Sequence, residues 1–213
     1  MNVQALLTRP EVLHAQVRAA LAGHGATPGP LPVGIRRAAV LLLLVHAQGE
    51  AALLLTQRSQ AVERHKGQIS LPGGVVEPGE TPLDAALRET SEEIGVREED
   101  VAILGGLDEE ETVVSGFRLA PFVGTIPYPY PLQVNTAEVH RVLEVPVRTL
   151  LDPRNLRAEL WNHDGVPRTV YFFSVNGDLV WGATARVITQ FLGAVFPIAL
   201  PPDRDRPVAH RSR

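Results

Sequence analysis

Apolar residues run without interruption through AAVLLLLV, residues 38–45. An unbroken run of this length suits a strand covered on both faces. Gln48-Gly49-Glu50 interrupts it, and residues 51–57 return as the partner strand of a hairpin. A different period governs residues 82–94, where Thr81 stands at an N-cap position and Pro82 at the first helical position. Asp84 lies where a capping box places its acid, and Gly95 supplies a C-terminal stop. At about 100° per residue, Leu83, Leu87, Thr90 and Ile94 form the expected buried stripe. Glu89, Glu92 and Glu93 fall on the opposite side of the same helix.

The remaining pattern alternates strands and helices. Residues 11–22 form an amphipathic helix with Val12, Leu13, Val17, Ala20 and Leu21 on its apolar side, ended by Gly23 and Gly25. A Pro/Gly linker follows over residues 27–34. Strands are expected at 101–107 and 117–126, then a strand and short helix within 135–153. A hairpin joins residues 156–161 and 168–175, and Asn176-Gly177-Asp178 makes another tight turn. A C-terminal helix follows, with Thr184 as its expected N-cap and Trp181 expected to pack in the core. The PYPYP segment, 127–131, either lines a pocket or forms a stiff connection. The tail from Pro201 is rich in Pro, Arg and Asp.

Composition narrows the class. The 213 residues are 45% hydrophobic and 21% charged, as in a soluble globular protein. A net charge of -4 gives no general affinity for nucleic acid or anionic membrane. With no cysteine, disulfides, thiol nucleophiles and thiolate metal sites are excluded, which fits a reducing cytoplasm. The first residues lack a basic start followed by an apolar run, so no secretory signal is expected.

The candidate chemistry lies around the 82–94 helix. Its three glutamates are i, i+3 and i+4 neighbours, crowded on one surface. Oxygen-rich clusters of this kind suit Mg²⁺ or Mn²⁺; the alternative is a solvated acidic face. Just upstream, the loop holding Arg58, Arg64, His65 and Lys66 is basic, and arginine offers a planar fork to phosphate oxygens. The acids of DEEETVVS, 108–115, are expected to be mostly solvated.

From Gly74, five residues lead to Glu80, and seven more lead to Arg88-Glu89-Thr90-Ser91-Glu92-Glu93-Ile94-Gly95-Val96. This resembles the Nudix hydrolase signature at each fixed position, with Thr90 standing where the family usually carries an aliphatic residue. The resemblance implies an α/β fold, the Nudix α/β/α sandwich with a mixed β-sheet between helices. It implies chemistry on a pyrophosphate linked to a nucleoside. Glu89, Glu92 and Glu93 would be metal ligands, Arg88 would orient a glutamate, and Glu80 would support it from the loop. One of Glu92, Glu93 or Glu138 would take a proton from the attacking water.

A finer resemblance, to the coenzyme A pyrophosphatase branch, rests on Leu54-Leu55-Thr56, Arg58, Gly67, Pro72-Gly73-Gly74, SGFRLAPFVG and WGATAR. Glu63 stands where that branch has a second arginine, with Arg64 one place later, and Leu71 replaces a phenylalanine. By this resemblance Arg58, Arg64, Gly67, Gln68, Gly73 and Gly74 would bind substrate. The expected reaction splits coenzyme A and acyl-CoA to 3′,5′-ADP and 4′-phosphopantetheine or its acyl form, using Mg²⁺ or Mn²⁺. The alternatives are hydrolysis of ADP-ribose or a nucleotide sugar, and a nucleotide-sensing domain without turnover. The expected organisation is an N-terminal helix and linker (1–34), the hydrolase domain (35–200) and a tail (201–213). The protein would be cytoplasmic, a monomer or homodimer acting on a small molecule, without nucleic acid or membrane partners.

Overall fold

A computed structural model describes residues 2–25, 31, 34–60, 66–111, 116–163 and 165–198. Arg64, residues 112–115 of the acidic loop and the 201–213 tail lie outside the described residues. The long apolar run becomes β1 (Arg36–Ala47), hairpinned to β2 (Glu50–Arg58). Strand β1 also runs parallel to β7 (Phe117–Thr125) and antiparallel to β4 (Gly73–Val75). Outside this centre, β2 carries β3 (Ile69–Ser70) and β8 (Val139–Pro146), and β8 leads into α4 (Val147–Leu151). On the other side β7 carries β5 (Ala102–Gly106) and β6 (Glu110–Glu111). The sheet is therefore mixed.

Alternation along β1 explains why both faces are apolar. Leu42 and Leu44 enter a core shared with α1 (Val3–Thr8), α2 (Pro10–Leu21) and α5 (Gly182–Val195). Ala39, Leu41, Leu43 and Val45 face the other way, against α3 (Pro82–Ile94). The sheet thus lies between helices. Leu6, Leu7, Leu13, Val17 and Leu21 bury the N-terminal helices in the larger core. The first of these helices, capped by the Asn2 side chain on Gln4 N–H, is too short for its period to stand out in the sequence.

Three features depart from expectation. The 156–175 hairpin, β9 (Leu156–His163) with β10 (Val166–Val175), joins β11 (Asp178–Trp181) in a second, three-stranded sheet. Tyr171, Phe173, Val175 and Val180 of this sheet enter the larger core with α5. Trp181 does not pack in the core: it is 36% exposed, stacked on Phe172 and tilted against Trp161. Its position on β11 directs it to the outer face. Helix α5 begins at Gly182, so Thr184 lies inside the first turn and Trp181 occupies the N-cap without a side-chain cap.

Candidate active site

Helix α3 starts and stops where its capping residues place it. Asp84 N–H donates to Thr81 Oγ1 at 3.2 Å, and Thr81 N–H donates back to Asp84 Oδ2 at 3.3 Å. At the other end Gly95 takes a left-handed φ of 71°. The helix is rolled relative to the expected stripe. Ala85, Ala86, Thr90, Glu93 and Ile94 are buried, whereas Leu83 and Leu87 are only half-buried. Small alanines allow close approach to β1, and the roll carries Glu93 inward. Thr90 tolerates burial because its hydroxyl donates to Ala86 O at 2.6 Å.

Strand β4 lies beneath this face. A Cβ on Gly73, at φ +145°, would come within 2.2 Å of Ala39 O. A Cβ on Gly74 would lie 2.3 Å from the Glu89 carboxyl carbon. Both glycines are thus required by close approach, and the Glu89 carboxylate rests directly over Gly74. Its acidity is lowered, chiefly by burial, although Arg88 opposes the shift.

Arg88 is the hub of the acidic cluster. Its Nε donates to Glu80 Oε1 at 2.9 Å. Its Nη1 donates to Glu89 Oε1 at 3.0 Å and Glu92 Oε2 at 3.2 Å. Nη2 reaches the Val75 carbonyl at 3.3 Å. The hydrogen bond from Arg88 holds the Glu80 carboxyl below its usual range. Glu92 stays outside, with 57% of its side chain exposed. The three glutamates are therefore not equivalent neighbours on one solvated surface.

Glu93 is 3% exposed, and its Oε2 is buried without a hydrogen-bond partner among the described residues. Burial pushes its pKa up to about 8, against the opposing charge of Arg58. Glu89 and Glu138 add to the upward push, and a Gly73 backbone hydrogen bond resists it. Among the described residues Arg58 Nε is likewise buried without a partner. A buried carboxylate oxygen and a buried guanidinium nitrogen, both unsatisfied, are costly features in a finished core.

The substrate-side candidates Gly67 and Gln68 meet the backbone of Arg58. Arg58 N–H donates to Gln68 O at 2.9 Å, and Gly67 N–H donates to Arg58 O at 3.2 Å. Glu138 arrives from the other side, its carbonyl accepting Ser59 N–H at 2.7 Å. Residues 127–138 bring it there. Gln133 N–H and Asn135 N–H donate to the Ile94 and Glu93 carbonyls, both at 2.9 Å, satisfying the end of α3. Tyr130 OH donates to Asp100 Oδ2 at 2.7 Å, and Tyr128 OH to Glu144 Oε1 at 2.5 Å. The Pro/Tyr segment is a strap over the helix end, and apart from the aromatics themselves no residue pattern signals these hydroxyl anchors.

Of the four acids at 108–111, Glu109 and Glu110 are largely covered, with side chains 18% and 13% exposed, whereas Asp108 and Glu111 keep 47% and 56%. Glu109 accepts from Arg37 at 3.0 Å, Glu110 from Gln190 at 3.0 Å, and Glu111 from Arg118 at 2.5 Å. Basic and amide side chains on β1, β7 and α5 hold them.

Among the described residues, no three His, Cys, Asp or Glu side chains are placed to hold a metal ion together. The candidate donors nevertheless suit a hard divalent cation: all are carboxylate oxygens, one of them a buried orphan. Mg²⁺ commonly uses one or two carboxylates with water and substrate phosphate completing its shell.

A mixed sheet between helices, with a glycine strand beneath an Arg/Glu-rich helix, defines the class. The NUDIX domain model matches residues 35–163, and the chain belongs to the Nudix hydrolase family. It is 36% identical over 156 residues to an "Uncharacterized Nudix hydrolase NudL" of Photorhabdus laumondii subsp. laumondii, covering 73% of this chain and 82% of that protein. A protein of the same description from Yersinia pestis (strain Pestoides F) is 33% identical, covering 72% and 76% respectively. The fold is also that of a MutT/nudix family protein from Enterococcus faecalis, with a TM-score of 0.53 at 19% identity over 88% of this chain and 74% of that one. No helix among the described residues is long and apolar enough to cross a membrane.

Proposed function

We propose that this protein is a cytoplasmic, divalent-metal-dependent pyrophosphohydrolase of coenzyme A and acyl-CoA. It releases 3′,5′-ADP and 4′-phosphopantetheine or its acyl form. The observation that carries the catalytic reading is the pair of buried, unpartnered atoms, Glu93 Oε2 and Arg58 Nε, beside the Glu89 carboxylate. The coenzyme A assignment is supported by Leu54-Leu55-Thr56, Arg58, Gly67, Pro72-Gly73-Gly74 and WGATAR.

In this reading Glu89, Glu92 and Glu93 hold Mg²⁺ or Mn²⁺. The ion supplies Lewis acidity toward the phosphoryl oxygens and offsets their charge. Arg88 positions Glu89 and Glu92 and is itself braced by Glu80. Arg58, with Arg64 as a second donor, binds the pyrophosphate, while the backbone at Gly67, Gln68, Gly73 and Gly74 shapes the space beside it. An oxygen of Glu93, Glu92 or Glu138 accepts the proton of the attacking water.

A substrate panel tests the assignment. With Mg²⁺ or Mn²⁺, coenzyme A should be turned over in preference to ADP-ribose, dinucleoside polyphosphates and nucleoside triphosphates, giving the two stated products. Preference for ADP-ribose or a nucleotide sugar would replace the substrate. Nucleotide binding without hydrolysis would replace the enzyme with a sensor.

A further inference from the structure

Gln57 immediately precedes Arg58, and the pairing of β2 with β8 shifts register between them. The two ends of its side-chain amide are used in opposite senses. Nε2 donates to the Gly67 carbonyl at 3.1 Å, and Oε1 accepts from Arg141 Nε at 2.7 Å. Arg141, on β8, extends Nη2 to both Asp178 oxygens at 2.7 and 2.8 Å. Asp178 opens β11 of the second sheet. A continuous polar chain therefore runs from that sheet, across β8, to the turn closing on the backbone of Arg58. Gly67 in that turn has φ +68°, and a Cβ there would meet Gln60 Nε2 at 2.7 Å.

We propose that Arg141 is a positioning residue for the phosphate side of the site. Its contact with Asp178 fixes the guanidinium, which fixes the orientation of the Gln57 amide. An amide can flip, exchanging donor and acceptor ends; Arg141 accepts nothing, so only one orientation satisfies it. That orientation aims Nε2 at the Gly67 carbonyl and sets the direction in which Arg58 leaves β2. The inference rests on the reading of Arg58 as a phosphate donor. Lysine lacks the planar fork that meets Gln57 and Asp178 together.

Fold stability owes little to such an arrangement. The Arg141 side chain is 46% exposed, and ion pairs at that exposure contribute little. This separates a positioning role from a structural one. In steady-state coenzyme A hydrolysis, Arg141→Met should raise KM about tenfold with kcat within about twofold, and Arg141→Lys should not restore KM. Thermal midpoints should stay within about 2 °C, as a surface change allows. Backbone hydrogen exchange at Gly67 and Gln68 should accelerate in the substrate-free protein. Gln57→Ala added to Arg141→Met should worsen KM no further, because both act along one chain. An unchanged KM, or equal losses of kcat, KM and midpoint, would overturn the proposal. Asp178→Asn provides the same readouts should Arg141→Met fail to fold. If wild type leaves coenzyme A intact, the substrate reading fails separately, and unchanged exchange at Gly67 and Gln68 still overturns the relay.

Discussion

Glu93 concentrates the physical conflict of the site in one side chain. The folded state holds its proton more tightly than the unfolded chain, whose reference value is 4.5, with the folded value near 8. Its contribution therefore favours the folded state at low pH. That contribution is lost progressively between about pH 4.5 and pH 8 as the buried carboxyl ionises. In chelator-treated protein, thermal midpoints measured across this window should fall less steeply with pH for Glu93→Gln than for wild type. Parallel curves would show that Glu93 ionises in folded and unfolded states alike. Gly74→Ala tests the neighbouring contact. Its new Cβ would collide with the Glu89 carboxylate, so Mn²⁺ affinity by calorimetry should drop about tenfold or more, as seen when groups that orient a metal ligand are disturbed. Glu93 could be identified as a candidate from spacing with its neighbours, but not as a buried group. The stripe built on Leu83 and Leu87 counted hydrophobicity alone, whereas the roll of α3 follows the small volumes of Ala85 and Ala86 against β1.

Element boundaries were most legible where backbone chemistry declares them. Thr81, Pro82, Asp84 and Gly95 delimit α3 because capping is local and needs no tertiary partner. Thr81→Ala should therefore cost about 1 kcal/mol in urea unfolding, the usual worth of such a cap. A smaller loss than a few tenths would mean that packing alone fixes the helix start. Thr184 shows the limit of the same logic: a hydroxyl near a helix start is not a cap when Gly182 begins the helix two residues earlier. The cover over Glu109 and Glu110 escapes local reading for a related reason: their partners Arg37 and Gln190 come from distant positions in the chain.

At the scale of the whole molecule, β1 is the member on which both cores depend. Its unbroken apolar run revealed that both faces are covered. It did not reveal that α1, α2, α5 and a second sheet cover one of them. That arrangement depends on pairings between distant segments, such as β1 with β7, for which local periodicity carries no signal. The N-terminal helices contribute to this core directly, so Leu13→Ala should cost about 2–5 kcal/mol in denaturant unfolding despite its distance from the acidic cluster. A neutral result would mean that α2 only rests on the surface. Trp181, by contrast, is expected in the core from its sequence yet shares an outer sheet face with Trp161, because strand parity rather than hydrophobicity decides which way it points.

The proposed grip of the α3 carboxylates on a divalent ion for pyrophosphate cleavage depends most on Glu93. The most direct measurement is coenzyme A turnover at saturating Mn²⁺ by wild type and Glu93→Gln, with thermal unfolding of both recorded alongside. In Glu93→Gln kcat should fall about a thousandfold or more, the scale of losing a metal ligand and base together, with the folded structure retained. Turnover by Glu93→Gln within about tenfold of wild type would contradict it.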